Sequence, residues 1–282
     1  MNKENHVDQS SQEEYWEEIR ASKTQIPVAV NVKGELIHTP HGPYLKIVLI
    51  SDTHSRLGEI IAQGLIPDGD ILIHAGDITR NGEEYELREF NDQIGTLPHK
   101  HKLIIAGNHE LGLDPEENED LRGENLRGRG THFGWKLFTN CTYLHEKTAV
   151  IDGVKFYGAS WHPLLGYSFY RPRESLKEKW AKIPEDTDVL ITHSPPLGYL
   201  DVFLERERWG CKYLLEKVEE VQPKLHVFGH VHACYGALSN GPTTFVNAST
   251  QRFMPRDIYE NIQKHSKVFN KPLIFYIPKG SQ

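Results

Sequence analysis

Five apolar runs along the chain end abruptly in polar residues of one kind. Ile47–Ile50 leads into Ser51-Asp52-Thr53-His54, Ile71–Ala75 into Gly76-Asp77, and Leu103–Ala106 into Gly107-Asn108-His109-Glu110. Val189–Thr192 leads into His193, and Leu225–Phe228 into Gly229-His230-Val231-His232. Unbroken Ile, Val and Leu of this length predict strands covered on both faces. Leu57, Ile60, Ile61 and Leu65, and then Leu87, Phe90, Ile94 and Leu97, recur at helical spacing between the first three runs. Strand, helix, strand, helix, strand predicts βαβ units with parallel pairing.

The remaining pattern adds edges and covers. Val28–Val32 and Glu35–His38 read as a hairpin about Lys33-Gly34, and Thr148–Ile151 and Val154–Tyr157 as a second one turning at Asp152-Gly153. Ser175–Ile183 reads as a helix with Leu176, Trp180 and Ile183 inward, and Tyr213–Val221 as another, ended by Pro223. Thr243–Val246 and Leu273–Ile277 are late strands. Residues 1–24 are polar and predict a largely disordered tail, in which Tyr15, Trp16 and Ile19 could dock as one helical turn. Residues 114–134, rich in acidic residues, arginine and glycine, read as an irregular excursion. No repeat or linker divides the chain, so residues 25–282 are expected to form a single α/β domain.

Composition narrows the partners. Thirty-two basic against thirty-nine acidic residues give a formal charge of -7, with no basic block to follow a nucleic-acid backbone. Extended nucleic acid is therefore not an expected partner. No run approaches the ~18 apolar residues of a membrane helix, and no signal-peptide core is present, so an intracellular, cytoplasmic, soluble protein without a membrane partner is expected. The three cysteines, Cys141, Cys211 and Cys234, form no Cys-x-x-Cys and indicate neither a disulfide framework nor a structural zinc site.

The chemistry lies at the strand ends. Open α/β sheets bind ligands at the carboxyl ends of their strands. The five runs deliver Asp52, His54, Asp77, Asn108, His193, His230 and His232 to such an end, as a dinuclear metal centre requires. Asp52 and His54, two apart on an extended backbone, face one way, and so do His230 and His232. Asp77 is the candidate bridge, because a carboxylate can be shared by two cations ~3.5–4 Å apart whereas an imidazole nitrogen cannot. Taken alone, Gly76-Asp77 reads equally well as a strand-ending turn that caps a helix. Asn108 offers a neutral oxygen, and His109 beside it can reach an oxygen of the substrate. His193 stands alone, in Thr-His-Ser-Pro-Pro, and by itself reads more naturally as a packed core residue. Nitrogen and oxygen donors without thiolate suit Mn, Fe, Zn or Co.

Asp-x-His, Gly-Asp, Gly-Asn-His-Glu, a lone His and Gly-His-x-His, in this order and each after an apolar strand, resemble the calcineurin-like metallophosphoesterase superfamily over residues 45–250. Phe90-Asn91-Asp92, Leu97-Pro98-His99, Ile104 to Leu111, Lys179-Trp180, Ile183-Pro184 and Thr192 to Gly198 are similar to its metallophosphoesterase-domain-containing group. The resemblance implies a four-layer αββα sandwich and a phosphodiesterase acting on small substrates such as cyclic nucleotides. It implies two divalent metal ions, Mn first with Fe or Zn as alternatives. Asp52, His54 and His232 would hold one ion and Asn108, His193 and His230 the other, with Asp77 bridging and a metal-bridging hydroxide attacking phosphorus. His109 is the candidate for protonating or stabilising the leaving oxygen, which would make His109, Asp77 and Asn108 the catalytic set. Some members of the group carry Gly where this chain has His230, so the ligand set here is the fuller one.

A phosphomonoesterase or protein phosphatase on the same centre, and a non-catalytic metal-binding scaffold, are the alternatives. Beside the site, Trp161, His162, Tyr167, Phe169 and Tyr170 form an aromatic loop that reads as local core or as a base-stacking wall. Arg122, Arg127 and Arg129 read as a solvated loop or as a phosphate clamp. His74 reads as a hydrogen-bonded core residue, and His6, His38, His41, His99, His101, His145 and His265 show no partner pattern.

Overall fold

The computed structural model describes residues 12–36, 42–204, 207–252 and 269–280. Its strands are β1 (Ile26–Pro27), β2 (Tyr44–Ile50), β3 (Ile71–Ala75), β4 (His101–Ile105), β5 (Thr142–Tyr143), β6 (Lys147–Ile151), β7 (Val154–Ala159), β8 (Val189–Thr192), β9 (Val202–Phe203), β10 (Glu207–Arg208), β11 (Leu225–Phe228), β12 (Gly236–Ser239), β13 (Thr244–Asn247) and β14 (Leu273–Pro278). The helices are α1 over residues 12–19, α2 (Leu57–Ala62), α3 (Glu84–Gly95), α4 (Arg173–Trp180) and α5 (Lys212–Val221).

One sheet runs β14-β2-β3-β4-β5 and the other β1-β12-β13-β11-β8-β7-β6. The pairs β2–β3 and β3–β4 are parallel, as are β7–β8, β8–β11 and β11–β13. Side chains alternate across each strand. Ile47, Leu49, Ile71, Ile73, Leu103 and Ile105 of the first sheet therefore join Phe156, Val189, Ile191, Leu225, Val227 and Val246 of the second in one buried cluster between the sheets. The alternate residues Val48, Ile50, Leu72 and Ile104 pack with Leu57, Leu87, Phe90 and Ile94 of α2 and α3. On the far side Leu190, Phe228 and Phe245 pack with Leu176 and Trp180 of α4 and Leu214, Leu215 and Val218 of α5. The result is the four-layer αββα sandwich. Each fully buried aliphatic side chain contributes about 1.5–3 kcal/mol by leaving water.

The strongly apolar strands lie where the pattern puts them. The second hairpin turns at Asp152 and Gly153 with φ of 48° and 76°, the mirror-image turn that two-residue hairpins favour. The first is reduced to a Val30–Leu36 bridge, and its end at His38 lies outside the described residues, as do His6, His41 and His265. β1, β5, β9, β10 and β12 carry no apolar run and have no signature in the sequence. No helix among the described residues is long and apolar enough to cross a membrane.

Within the polar tail, residues 12–19 form a helix that contains Tyr15, Trp16 and Ile19, the residues expected to dock as one turn. Its anchor is Trp16, 3% exposed, whose ring lies under the Arg208 guanidinium at 4.9 Å while Glu13 pairs with the same arginine at 3.1 Å. One buried tryptophan with a charged partner outweighs the polar majority. Residues 1–11 lie outside the described residues.

His226 makes a prediction that does not depend on the site. It is buried on β11 and bonds Thr192 Oγ1 through Nε2 at 2.8 Å. The Thr192 hydroxyl donates to Ser194 O, so the imidazole N–H is the donor to Thr192, and Nδ1 has no partner. Burial pushes the His226 pKa down to about 3. The unfolded chain then takes up a proton below about pH 6.5 that the folded chain refuses, so stability present above that pH is lost as pH falls toward 3. His226 should cost the metal-stripped protein about 2 kcal/mol between pH 7 and pH 5. His226→Gln should flatten the pH slope seen in denaturant unfolding; an unchanged slope would remove His226 from the account.

Candidate metal centre

All eight residues of the expected site meet at one end of the sandwich. Asp52 and His54 follow β2, Asp77 follows β3, and Asn108 and His109 follow β4. His193 follows β8, and His230 and His232 follow β11. The first sheet supplies five of them and the second three. The backbone route differs from the extended one expected. Asp52, His54, Asp77 and His230 have left-handed φ of 53°, 43°, 53° and 68°, an arrangement that costs about 1–3 kcal/mol per residue and persists only where the surroundings enforce it. His230 and His232 do not face one way: His230 Nδ1 meets Asn108 Oδ1 at 2.9 Å, whereas His232 Nε2 meets Asp52 Oδ1 at 3.2 Å.

The donor atoms fall into overlapping triads, Asp52-His54-His232, His54-Asp77-His109 and Asp77-His193-His230, each within 4.8 Å. Asp77 lies between the groups: Oδ2 is 3.8 Å from His54 Nε2 and Oδ1 is 3.3 Å from His193 Nε2. His193, the least conspicuous in the sequence, is fully buried near the middle. Its Nδ1 bonds the Ala75 carbonyl at 2.9 Å, so that nitrogen carries the proton and a neutral ring turns a lone pair on Nε2 toward Asn108 Oδ1, 3.0 Å away. Acceptor facing acceptor in a buried site requires a cation, either a proton or a metal. Ligand atoms about 2.1 Å from a common ion lie about 3.0–3.4 Å from one another in octahedral or tetrahedral coordination. The His193–Asn108, His230–Asn108, His232–Asp52 and His54–His232 separations, 2.9 to 3.3 Å, match that edge. The residues present therefore fit divalent ions.

The electrostatics agree. Burial alone would raise the Asp52 and Asp77 carboxyls, but His232 beside Asp52, and His193 and His109 beside Asp77, hold both well below the usual carboxylate range. Burial acts to lower His193, and the Asp77 carboxylate overrides it and pushes the imidazole up to about 9. Burial pushes His54 down to about 4 and His230 well below its ordinary value, which keeps both rings neutral, each with one lone pair free to accept. His109 is the half-exposed member; its Nδ1 bonds Arg80 O at 2.7 Å, leaving Nε2 free.

Two supporting residues, Glu110 and Ser249, lie outside the expected ligand set. Glu110 is fully buried and accepts hydrogen bonds from Gly107 N (2.6 Å), Thr79 N (2.8 Å) and Thr79 Oγ1 (2.9 Å), tying the Asp77 loop to the Asn108 loop. Burial and then the Asp77 charge push its carboxyl up to about 7. Its place in Gly-Asn-His-Glu was the available clue. Ser249 donates to Asp52 Oδ2 at 2.8 Å from a segment with no motif.

The aromatic loop divides. Trp161, Phe169 and His162 are buried; the His162 ring centroid lies 6.1 Å from that of His230, and the Tyr167 ring centroid 5.3 Å from that of His109. On the other side Trp209 lies 5.1 Å from His230. His74 bonds Thr53 Oγ1 inside β3. Arg122 neither clamps phosphate nor meets solvent: its side chain is 1% exposed, held by Glu117 at 2.6 Å and the Arg129 carbonyl at 2.7 Å.

Comparison with known proteins adds independent findings. The sequence model of the calcineurin-like phosphoesterases matches residues 45–234. UPF0046 protein K07C11.7 of Caenorhabditis elegans is 48% identical over 98% of this chain and 91% of its own length. Metallophosphoesterase domain-containing protein 1 of Homo sapiens is 45% identical over 73% of this chain and 66% of its own. A solved crystal structure, 18% identical, shares the fold with a TM-score of 0.53 over 85% of this chain and 100% of that one.

Proposed function

The chain belongs to the calcineurin-like phosphoesterase family, and from that premise we propose that it is a metal-dependent phosphodiesterase of small substrates, with cyclic nucleotides the first class to test. The observation that carries this reading is Asp77, whose two oxygens face separate groups of donors, His54 at 3.8 Å and His193 at 3.3 Å. Asp52, His54 and His232 would hold one divalent ion and Asn108, His193 and His230 a second, manganese being the preferred metal. Bound there, such ions neutralise phosphate charge and lower the pKa of a water nucleophile.

The chain's own residues do the rest. Asp77, kept ionised, offers both oxygens. The Ala75 carbonyl fixes the His193 tautomer and so aims Nε2 into the site, as partners of metal-binding imidazoles do. His109, held through Nδ1 by Arg80 O and grouped with His54 and Asp77, would as a protonated imidazole donate to the leaving oxygen.

The test is hydrolysis of bis(4-nitrophenyl) phosphate and 4-nitrophenyl phosphate by metal-stripped protein before and after adding Mn, with Asn108→Ala alongside. Diester cleavage should return with metal and fail in the variant. Preference for the monoester would replace the reading by a phosphomonoesterase, and metal binding without turnover of either ester would replace it by a scaffold.

A further inference from the structure

Beyond the metal centre lies a cavity of about 230 Å³ between the 114–134 excursion and the aromatic loop, walled by Leu121, Tyr167, Tyr170 and Pro172, with Glu116 and Asn118 among its polar lining. Two bonds fix it to the site. Ser168 N donates to Asn108 O at 3.2 Å, and Ser168 Oγ donates to Glu117 Oε2 at 2.8 Å, so Ser168 links the Asn108 backbone to the excursion. Tyr167 is common to cavity and site, since its ring faces His109. The cation on its wall is committed: Arg171 bonds Asp114 at 2.8 Å and Glu116 at 3.1 Å. A second phosphate would find no unpaired positive charge in that wall, and aromatic and aliphatic walls favour a flat, uncharged group. At 230 Å³ the space is below the roughly 300–1,000 Å³ of a pocket that takes a whole ligand, as befits one that takes a single substituent.

We infer that this cavity receives the ester substituent of the substrate, selecting phosphodiesters with an uncharged flat ring on the His109 side over those with small alkyl or further phosphate groups. The inference rests on the phosphodiesterase reading and names its substrate class. Tyr167 is the shared wall, and Leu121, 48% exposed, stands at the rim where it can be exchanged without disturbing the core.

The experiment is calorimetric binding of phenylphosphonate and methylphosphonate to Mn-loaded protein and its Leu121→Trp variant. The parent should bind phenylphosphonate about tenfold more tightly than methylphosphonate. The variant should lose most of that preference while its methylphosphonate affinity stays within twofold, which also shows that it is folded. Equal affinities in the parent, or an undiminished preference in the variant, overturns the inference. Turnover of bis(4-nitrophenyl) phosphate is followed on the same samples: a parent that cleaves it while showing no phenyl preference loses the cavity alone, and one that does not cleave it loses the phosphodiesterase reading as well.

Discussion

Asp77→Asn should reduce metal-dependent phosphodiester turnover by more than about 100-fold while leaving the fold intact. Partners that merely support a metal ligand cost 10–100-fold when removed, and Asp77 is proposed to serve both ions directly. The amide keeps the shape of the carboxylate and can keep one oxygen to accept the His109 backbone N–H, which bonds Asp77 Oδ1 at 3.0 Å, so that donor stays paired. What disappears is the negative charge between His54 and His193. Thermal unfolding of the metal-stripped variant should shift by no more than about 4 °C, the size expected of a change near 1 kcal/mol in a chain of this length. Turnover within threefold of the parent would remove Asp77 from the bridging role.

Gly229→Ala should be nearly as damaging, through sterics. A Cβ on residue 229 would lie 2.0 Å from Asp52 Oδ2 and 2.1 Å from Ser51 Oγ, far inside contact distance. Asp52 cannot step aside freely, because Ser249 Oγ and His230 N both donate to it. Relieving the clash means moving the Asp52 carboxylate or the β11 strand end, at about 1–3 kcal/mol for an overpacked buried site. Because Asp52 is proposed to hold one ion, the expected result is a fall in turnover of about 10–100-fold, with a lower unfolding temperature. Preserved turnover with a lowered unfolding temperature would show that the strand end moves and the carboxylate does not.

The sequence was informative where physics acts locally. An apolar run closed by Asp, Asn or His is a strand end, because the run needs burial on two faces and the polar residue closing it cannot share that burial. The five strands and seven proposed ligands were legible on that ground. The left-handed backbone at Asp52, His54 and His230 was not, because it is enforced by contacts from other strands: His54 N bonds Asp77 O, and His230 N bonds Asp52. The split of His230 and His232 between different partners was hidden for the same reason. Arg122 looked solvated since nothing nearby in its composition announces that Glu117 and the Arg129 carbonyl will enclose it. Trp16 shows the reverse limit, in which one side chain decides the fate of a segment whose average points the other way.

The division of the donor set between the two sheets bears on the order in which the site comes into being. Asp52, His54, Asp77 and Asn108 are synthesised before residue 110, whereas His193, His230 and His232 arrive more than eighty residues later and on the opposite sheet. A nascent chain that has completed only β2, β3 and β4 holds carboxylates and an amide with a single imidazole pair, and no complement to the Asp77 oxygen that faces His193. Completion of the two proposed ion sets, Asp52-His54-His232 and Asn108-His193-His230, is thus tied to closure of the sandwich, whereas the His54-Asp77-His109 group belongs to the first sheet alone.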